Sequence, residues 1–219
     1  LTGLVNGVTG GAVTKISADA GELVIAGELR QSGASPTASS RVTNLQGSGT
    51  GVLSGPATQA AGITHIIDKF GTGTWSLTAD SPRTGATRIV DGVLAVPTVA
   101  DGGVASPLGA SAADAANLVF NGGTLRCDGA GGSTDRLFTI NPGGATLEAS
   151  GTGPVAFTNG DPVVVADGTA VNGLQLNFAN ASTTVAWNDS TALAVGSRLS
   201  GTPGLPDGAT ITAINHSAG

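Results

Sequence analysis

The chain has 219 residues and a mass of 21.0 kDa, a length that suits one domain, or one domain with a small appendage. Only 11% of the residues are charged and 40% are hydrophobic, whereas disordered chains combine high charge with low hydrophobicity. The 36 Gly and 10 Pro follow no Gly-X-Y period, which excludes a collagen-like chain. Because the net charge is −6 and the isoelectric point is near 4.6, we expect no binding to nucleic acid or to an anionic membrane surface.

The start of the chain and its single cysteine set the expected cellular context. Position 1 is Leu and the sequence contains no Met, so we expect a processed product or a piece of a longer protein. No signal-peptide pattern and no apolar run of bilayer length is present, so no membrane insertion of this segment is expected. Cys127 has no second cysteine to pair with, so stability has to come from a long, regular core.

Helix signals are weak along the whole chain, and turn signals are frequent. The one Ala-rich candidate, residues 110–117, is too short for a stable helix without packing. Asp outnumbers Glu by twelve to three, and Asp favours turns over helices. Asp-Gly occurs five times and Asn-Gly four times, between short runs rich in Val, Leu and Thr. This pattern predicts an all-β chain.

A short unit, Gly followed by an alternating apolar strand, recurs in chain order. Its anchor residues are spaced by 24, 22, 19, 31 and 22 positions: Leu29, Leu53, Trp75, Leu94, Leu125 and Leu147. A period of about 20–30 residues is typical of a solenoid, in which each coil buries its apolar edge against its neighbours. A β-sandwich expects turns every 8–12 residues, which each unit also contains, so turn spacing alone does not decide. The period favours a single-stranded parallel β-helix.

Strand alternation predicts which side chains point inward. We expect one continuous interior row, with Cys127 also inside: Leu53, Trp75, Leu94, Leu125 and Leu147. The outward row is then expected to contain Arg30, Ser54, Ser76, Ala95, Arg126 and Glu148. Within that row, Arg126 and Glu148 should be neighbours in adjacent coils, where an exposed ion pair marks the register and contributes at most about 1 kcal/mol.

Residues 69–96 resemble the passenger-associated repeat of bacterial autotransporters. The positions that match its Lys-x-Gly-x-Gly strand, aromatic or Leu anchor, Thr-Gly turn and Gly-x-Leu strand are Lys69, Gly71, Gly73, Trp75, Leu77, Thr84, Gly85, Thr87, Ile89, Gly92 and Leu94. The flanking segments 51–55, 106–109 and 116–125 are similar to those that accompany this repeat. The resemblance implies a parallel β-helix that is exported and presented on a bacterial surface or outside the cell.

The tail departs from this repeat. Residues 183–214 are loosely similar to a short β module of phage fibres and giant bacterial surface proteins. We therefore divide the chain into a β-solenoid over residues 1–160 and either a continuing solenoid or a small C-terminal β module over residues 161–219.

Few residues point to catalysis or metal binding. His65 and His216 lie outside any catalytic or metal-ligand motif, and we interpret both as surface or strand-end histidines. Cys127, in phase with Leu125, is interpreted as a small buried hydrophobe. The Asp residues are expected to form turns, and only segment 129–135 faintly resembles a calcium-binding repeat. We predict no catalytic, cofactor-binding or metal-binding residues, and calcium binding stays open.

Three functions remain open. The first is a non-catalytic rod of an exported bacterial surface protein that assembles with identical chains into a fibre or sheath. The second is an adhesin or phage-fibre-like module that presents loops 32–40 or 97–106 to a glycan or host surface. The third is a carbohydrate-active enzyme, which needs two carboxyl groups about 5–10 Å apart. We disfavour an enzyme, because no Arg or Lys cluster is present and Trp75 and Trp187 share strand faces with apolar neighbours.

Overall fold

A computed structural model describes residues 13–32 and 39–159 in full, together with the backbone of four short strand segments, 5–7, 163–165, 170–171 and 177–178. The strands are β1 (Val5–Gly7), β2 (Thr14–Ser17), β3 (Glu22–Ile25), β4 (Leu29–Gln31), β5 (Ser39–Gln46), β6 (Thr50–Leu53), β7 (Ala57–Gln59), β8 (Ile63–Lys69), β9 (Thr74–Leu77), β10 (Thr87–Ile89), β11 (Val93–Thr98), β12 (Leu118–Phe120), β13 (Thr124–Thr134), β14 (Thr139–Ile140), β15 (Thr146–Ala149), β16 (Val155–Phe157), β17 (Val163–Val165), β18 (Ala170–Val171) and β19 (Asn177–Phe178).

The strands stack into three sheets, each built from successive coils of the chain. Sheet I has the order β18-β17-β14-β12-β10-β8-β5-β2, sheet II the order β19-β16-β13-β11-β9-β6-β3 with β15 beside β13, and sheet III the order β1-β4-β7. Pairing is parallel up to β17, whereas β18 and β19 pair antiparallel with β17 and β16. The predicted all-β parallel β-helix is confirmed.

Helix is almost absent from the described residues. The Ala-rich segment 110–117 forms only a single 3₁₀ turn, Ala115–Asn117, which agrees with its short length and its lack of a side-chain cap. Among the described residues, no helix has the length and apolar character needed to cross a membrane.

The predicted interior row is confirmed for four of its five members and wrong for Leu53. Trp75, Leu94, Leu125 and Leu147 lie in register in successive strands of sheet II and are all buried. In the coil before Trp75, the position in register is Gly51, while Leu53 is two residues further on and pairs with Leu77. Leu53 is therefore inside, but in a parallel second row.

The size of the Trp75 ring explains why Gly51, and not Leu53, stands in register with it. A Cβ atom at Gly51 would lie 2.3 Å from ring atoms of Trp75, so only glycine leaves room for the indole inside the coil. The indole Nε1 donates a hydrogen bond to the Gln46 carbonyl at 2.9 Å, which satisfies its polar atom in the core. The anchor Leu29 was also misplaced by the sequence spacing: it belongs to sheet III, where it pairs with Ala57.

The outward row is confirmed at its register marker but is wrong for Ser54 and Arg30, because Val52 is the residue in register with Ser76 and Arg30 lies in sheet III. Arg126 pairs with Glu148 in β15, and the Arg126 Nε lies 3.0 Å from Glu148 Oε2. Ala95 occupies the same row between Ser76 and Arg126, but it is only 1% exposed, so the outward position is covered there. Cys127 is buried as predicted, and its burial raises the pKa of the thiol.

One continuous core runs through the stack. At its far end, Phe138 contacts both Phe120 and Phe157 edge to face, with ring centroids 5.8 and 5.3 Å apart. Coil-to-coil stacking is therefore supported by side-chain packing as well as by strand pairing.

Candidate functional site

The segment between β11 and β12 breaks the regular coil. Residues 99–114, here called the 99–114 loop, lie on the side of the stack that sheet III occupies in the earlier coils. An antiparallel bridge between Ser81 and Ser106 joins the loop to the preceding coil, and the Ala110 amide donates to the Arg83 carbonyl at 2.7 Å. The loop therefore packs onto the stack without forming a strand of its own.

Arg83 holds one side of the loop from inside the protein. Its side chain is fully buried, with no carboxylate at ion-pair distance among the described residues. The guanidinium donates to the carbonyls of Gly85 at 2.9 Å and Leu108 at 3.0 Å, and to the Thr87 hydroxyl at 2.6 Å. Burial, together with the charge of Arg136, lowers the pKa of Arg83 to about 9. Arg83 thus supplies donors to carbonyls that no strand neighbour satisfies.

Arg136 holds the other side of the loop. Its guanidinium donates to the loop carbonyls of Ala100 at 3.1 Å, Gly109 at 2.8 Å and Ser111 at 3.0 Å, and to the Ser111 hydroxyl at 2.9 Å. The residue is only 3% exposed, and burial lowers its pKa, while Asp135 and Asp101 act in the opposite direction. Both ends of the loop are therefore tied to one buried cation.

Two aspartates close the base of the loop. Asp101 Oδ1 accepts from the Asp135 amide at 2.9 Å, and Asp135 Oδ1 accepts from the Gly102 amide at 2.7 Å. Both carboxylates are engaged with backbone donors, as expected for turn-forming Asp. Beyond this closure, the tip at residues 103–105 is exposed, and Val104 is 52% exposed. The arrangement is a solvent-facing tip on a rigidly anchored base.

His65 was wrongly interpreted as a surface or strand-end histidine, because the structure places it inside the coil at 0% exposure. Its ring contacts the Thr43 hydroxyl through Nε2 and the Thr58 carbonyl through Nδ1, both at 2.9 Å. No acid orients the ring and no nucleophile of a triad contacts it within the described residues. His216 and Trp187 lie outside the described residues, whereas Trp75 is core, as expected.

Lys69 is a third buried cation that the sequence pattern did not place inside. Its Nζ donates to the carbonyls of Phe70 at 2.9 Å, Gly71 at 2.6 Å and Asp91 at 3.0 Å. Burial lowers its pKa to about 8, and the Asp91 charge opposes that shift. Lys69 satisfies carbonyls at a corner between coils, so its side chain acts as a structural donor.

The remaining candidate groups are separated. Glu28 accepts from the Thr58 hydroxyl and Glu148 pairs with Arg126, so each of these two glutamates has a partner of its own. Segment 129–135 lies mostly within β13, and the Asp135 carboxylate accepts from the Gly102 amide at the loop base. Within the part of the chain that the structure describes, no three His, Cys, Asp or Glu side chains group together as metal ligands.

The arginine-anchored loop was missed at the sequence level, although segment 97–106 was named as a presented loop. The available signal was the 31-residue interval between Leu94 and Leu125, which is the longest in the series. An interval longer than its neighbours predicts an insertion, but it does not show what the insertion packs on.

A stack of parallel strands around one core, with an anchored loop on its side, defines a β-helical protein. In sequence, the chain is similar to the adhesin BmaC autotransporter of Brucella suis biovar 1 (strain 1330), with 39% identity over 169 residues. That match covers 76% of this chain and 5% of the Brucella protein.

The similarity supports an autotransporter-related, exported protein with a location at the bacterial cell surface or outside the cell. No protein-family model matches the sequence. No solved structure matches it either.

Proposed function

We propose that this chain is a non-catalytic, rod-forming segment of a bacterial surface adhesin, in which the β-helix is a rigid support and the 99–114 loop is a contact surface. The observation that carries the proposal is the double anchoring of this loop by Arg83 and Arg136. A loop that is ordered before binding loses little conformational entropy on binding, so anchoring favours affinity. The similarity to an adhesin favours this role over an enzymatic one.

The chemistry of the tip indicates what it would contact. Residues 103–105 are Gly, Val and Ala, and the nearest carboxylates, Asp101 and Asp135, are engaged with backbone amides. A small, apolar tip with no charged side chain of its own suits a shallow contact with a glycan face or a host protein, and it does not suit a strongly charged polymer.

The test measures retention of the purified chain on a glycan array and on cultured host cells. Val104→Asp places a charge at the tip without touching the anchors, and we expect at least a tenfold loss of retention. Val13→Asp is the matched control, because Val13 is similarly exposed at 46% but lies on another part of the stack. Equal loss in both variants, or no retention of the unmodified chain, would contradict the proposal.

We also propose that the rod assembles with identical chains. In support, β2 and β3 lie at the outer edges of sheets I and II among the described strands, and parallel coil stacking already proceeds by edge addition. We expect sedimentation velocity to show a mass that increases with concentration. A strict monomer at high concentration would count against assembly while leaving the adhesive role standing.

A further inference from the structure

A chain of buried polar groups crosses the interior of the first coils. It consists of Gln31 in β4, Thr43 in β5, His65 in β8 and the Thr58 carbonyl in β7, and is called here the His65 chain. Gln31, Thr43 and His65 are each 0% exposed. The Gln31–Thr43 and His65–Thr58 bonds cross between sheets III and I, whereas the Thr43–His65 bond joins the paired strands β5 and β8.

The hydrogen bonds determine the tautomer of His65. The Thr58 carbonyl can only accept, so Nδ1 carries the ring proton and donates to it at 2.9 Å. Nε2 is then an acceptor, and the Thr43 hydroxyl donates to it at 2.9 Å. The Thr43 oxygen in turn accepts from Gln31 Nε2 at 2.8 Å. Both nitrogens of the neutral ring therefore form hydrogen bonds, and each hydrogen bond of the His65 chain has a defined donor and acceptor.

The surroundings of His65 oppose a positive charge. Arg41 stands in register with His65 in the neighbouring strand β5, and Arg83 acts on it from the segment that follows β9. The charged residues nearest in sequence on its own strand are Asp68, which pairs with Arg88, and Lys69, which donates to corner carbonyls. The Glu28 carboxylate, from the residue before β4, accepts a hydrogen bond from the Thr58 hydroxyl in β7. None of the described carboxylates forms an ion pair with His65.

We propose that the His65 chain is an acid-sensitive device, in which protonation of His65 removes the acceptor for Thr43 and opens the coils that carry β4, β5, β7 and β8. A protonated Nε2 is a donor that faces a hydroxyl already donating toward it, so the Thr43 hydroxyl has to turn away. The Gln31 Oε1 atom, which is buried without a hydrogen-bond partner, can accept from Thr43 only if the Gln31 amide, whose Nε2 now faces Thr43, turns as well. The added charge also lies in a region whose nearby buried side chains include Arg41 and Arg83. The described coils after residue 87 contain no histidine and remain closed.

The size of the pH effect follows from the linkage between protonation of His65 and opening of the coils. Burial, and then the charge of Arg83, lower the pKa of His65 from 6.5 to about 4, while the Thr58 carbonyl opposes this shift. The opened state therefore binds the proton more tightly than the closed state does, and stability is lost as pH falls below 6.5. For these two pKa values, the opening constant rises about 70-fold between pH 7.5 and pH 4.5.

Hydrogen exchange on the full chain at pH 7.5 and pH 4.5, corrected for intrinsic rates, tests the proposal. We expect opening of residues 39–69 to increase about 70-fold more in the unmodified chain than in His65→Gln, whose amide offers a donor and an acceptor but does not titrate. Carboxylates titrate in both proteins, so their contribution cancels in this comparison. Equal pH dependence in the two proteins, or opening spread evenly over residues 115–159, would overturn the proposal.

An NMR titration keeps the proposal testable if His65→Gln does not fold. The chain has two histidines, so His216→Gln leaves a single imidazole signal, that of His65. We expect this imidazole to stay neutral below pH 5 until the exchange-protected coils open. Titration near pH 6.5 in the folded protein would refute the acid-sensitive device.

Discussion

Residues 39–77 and residues 81–137 belong to one stack, yet they satisfy their buried backbone groups in different ways. In the first region, carbonyls pair strand to strand, and β5 and β8 alone share seven residue pairs in register. In the second region, the 99–114 loop forms a single bridge, Ser81–Ser106, in place of a paired strand, and Arg83 and Arg136 add guanidinium donors to its carbonyls. Where the repeat is interrupted, buried guanidinium groups replace the hydrogen bonds of the sheet.

This difference has a functional consequence. A strand in the stack is fixed in position by both neighbours, so it cannot change without disturbing the coil above and the coil below. A loop held from inside by two cations can vary at its exposed tip while its base stays in place. Variation at the tip is what a contact surface requires.

The largest expected effect comes from removing a loop anchor. Arg136→Met removes the guanidinium bonds to the carbonyls of Ala100, Gly109 and Ser111, each of which keeps one neutral donor, and we expect the loss of these charge-assisted bonds to cost about 3 kcal/mol in local stability. Hydrogen exchange of residues 99–114 measures this loss. Arg126→Met, which removes an exposed arginine, is the control and should leave the loop protected. Unchanged exchange in the loop of Arg136→Met would show that the anchor is dispensable.

A smaller effect is expected in the regular region, where packing dominates. Gly51→Ala places a Cβ 2.3 Å from the Trp75 ring, and overpacking of this kind costs about 1–3 kcal/mol. Chemical denaturation of Gly51→Ala, Trp75→Leu and the double variant measures the coupling between the two positions. We expect the Gly51→Ala substitution to cost less when residue 75 is Leu. If the free-energy costs of the two single substitutions simply add in the double variant, the cost of Gly51→Ala does not come from a clash with the Trp75 ring.

The smallest effect concerns the two outward ion pairs. Arg88 contacts Asp68 through two bonds, at 2.6 and 2.7 Å, and the Asp68 side chain is only 8% exposed. Arg126 and Glu148 are each about one-third exposed and share a single 3.0 Å contact. Double-mutant cycles should give about 1 kcal/mol for the first pair and at most about 0.5 kcal/mol for the second. Added salt should weaken the second pair more.

Repetition in the sequence was sufficient to predict the β-helix and most of its interior row. Each coil repeats the same alternation of apolar and polar residues, and stacking in register is the arrangement that buries all of these apolar faces together. The error at Leu53 has a specific cause. The spacing of anchor residues takes no account of side-chain volume, but the register of two strands depends on it. The Trp75 ring needs a glycine at the paired position, Gly51.

The buried cations could not be predicted in the same way. Arg83, Arg136 and Lys69 read as surface residues in sequence, because charged side chains are seldom fully buried without an opposite charge. The structure places them beside carbonyl groups that the corners and the 99–114 loop leave without strand partners.

The sequence by itself therefore determined the repeating, locally encoded part of this protein: the strands, the turns and the apolar rows. The tertiary structure alone decided what the insertion packs on and which polar side chains fill the interior. The physical reason is that alternation along one strand is a local property. The need of a buried carbonyl for a donor becomes visible only when residues about 25 positions apart, such as Arg136 and Ser111, are brought together.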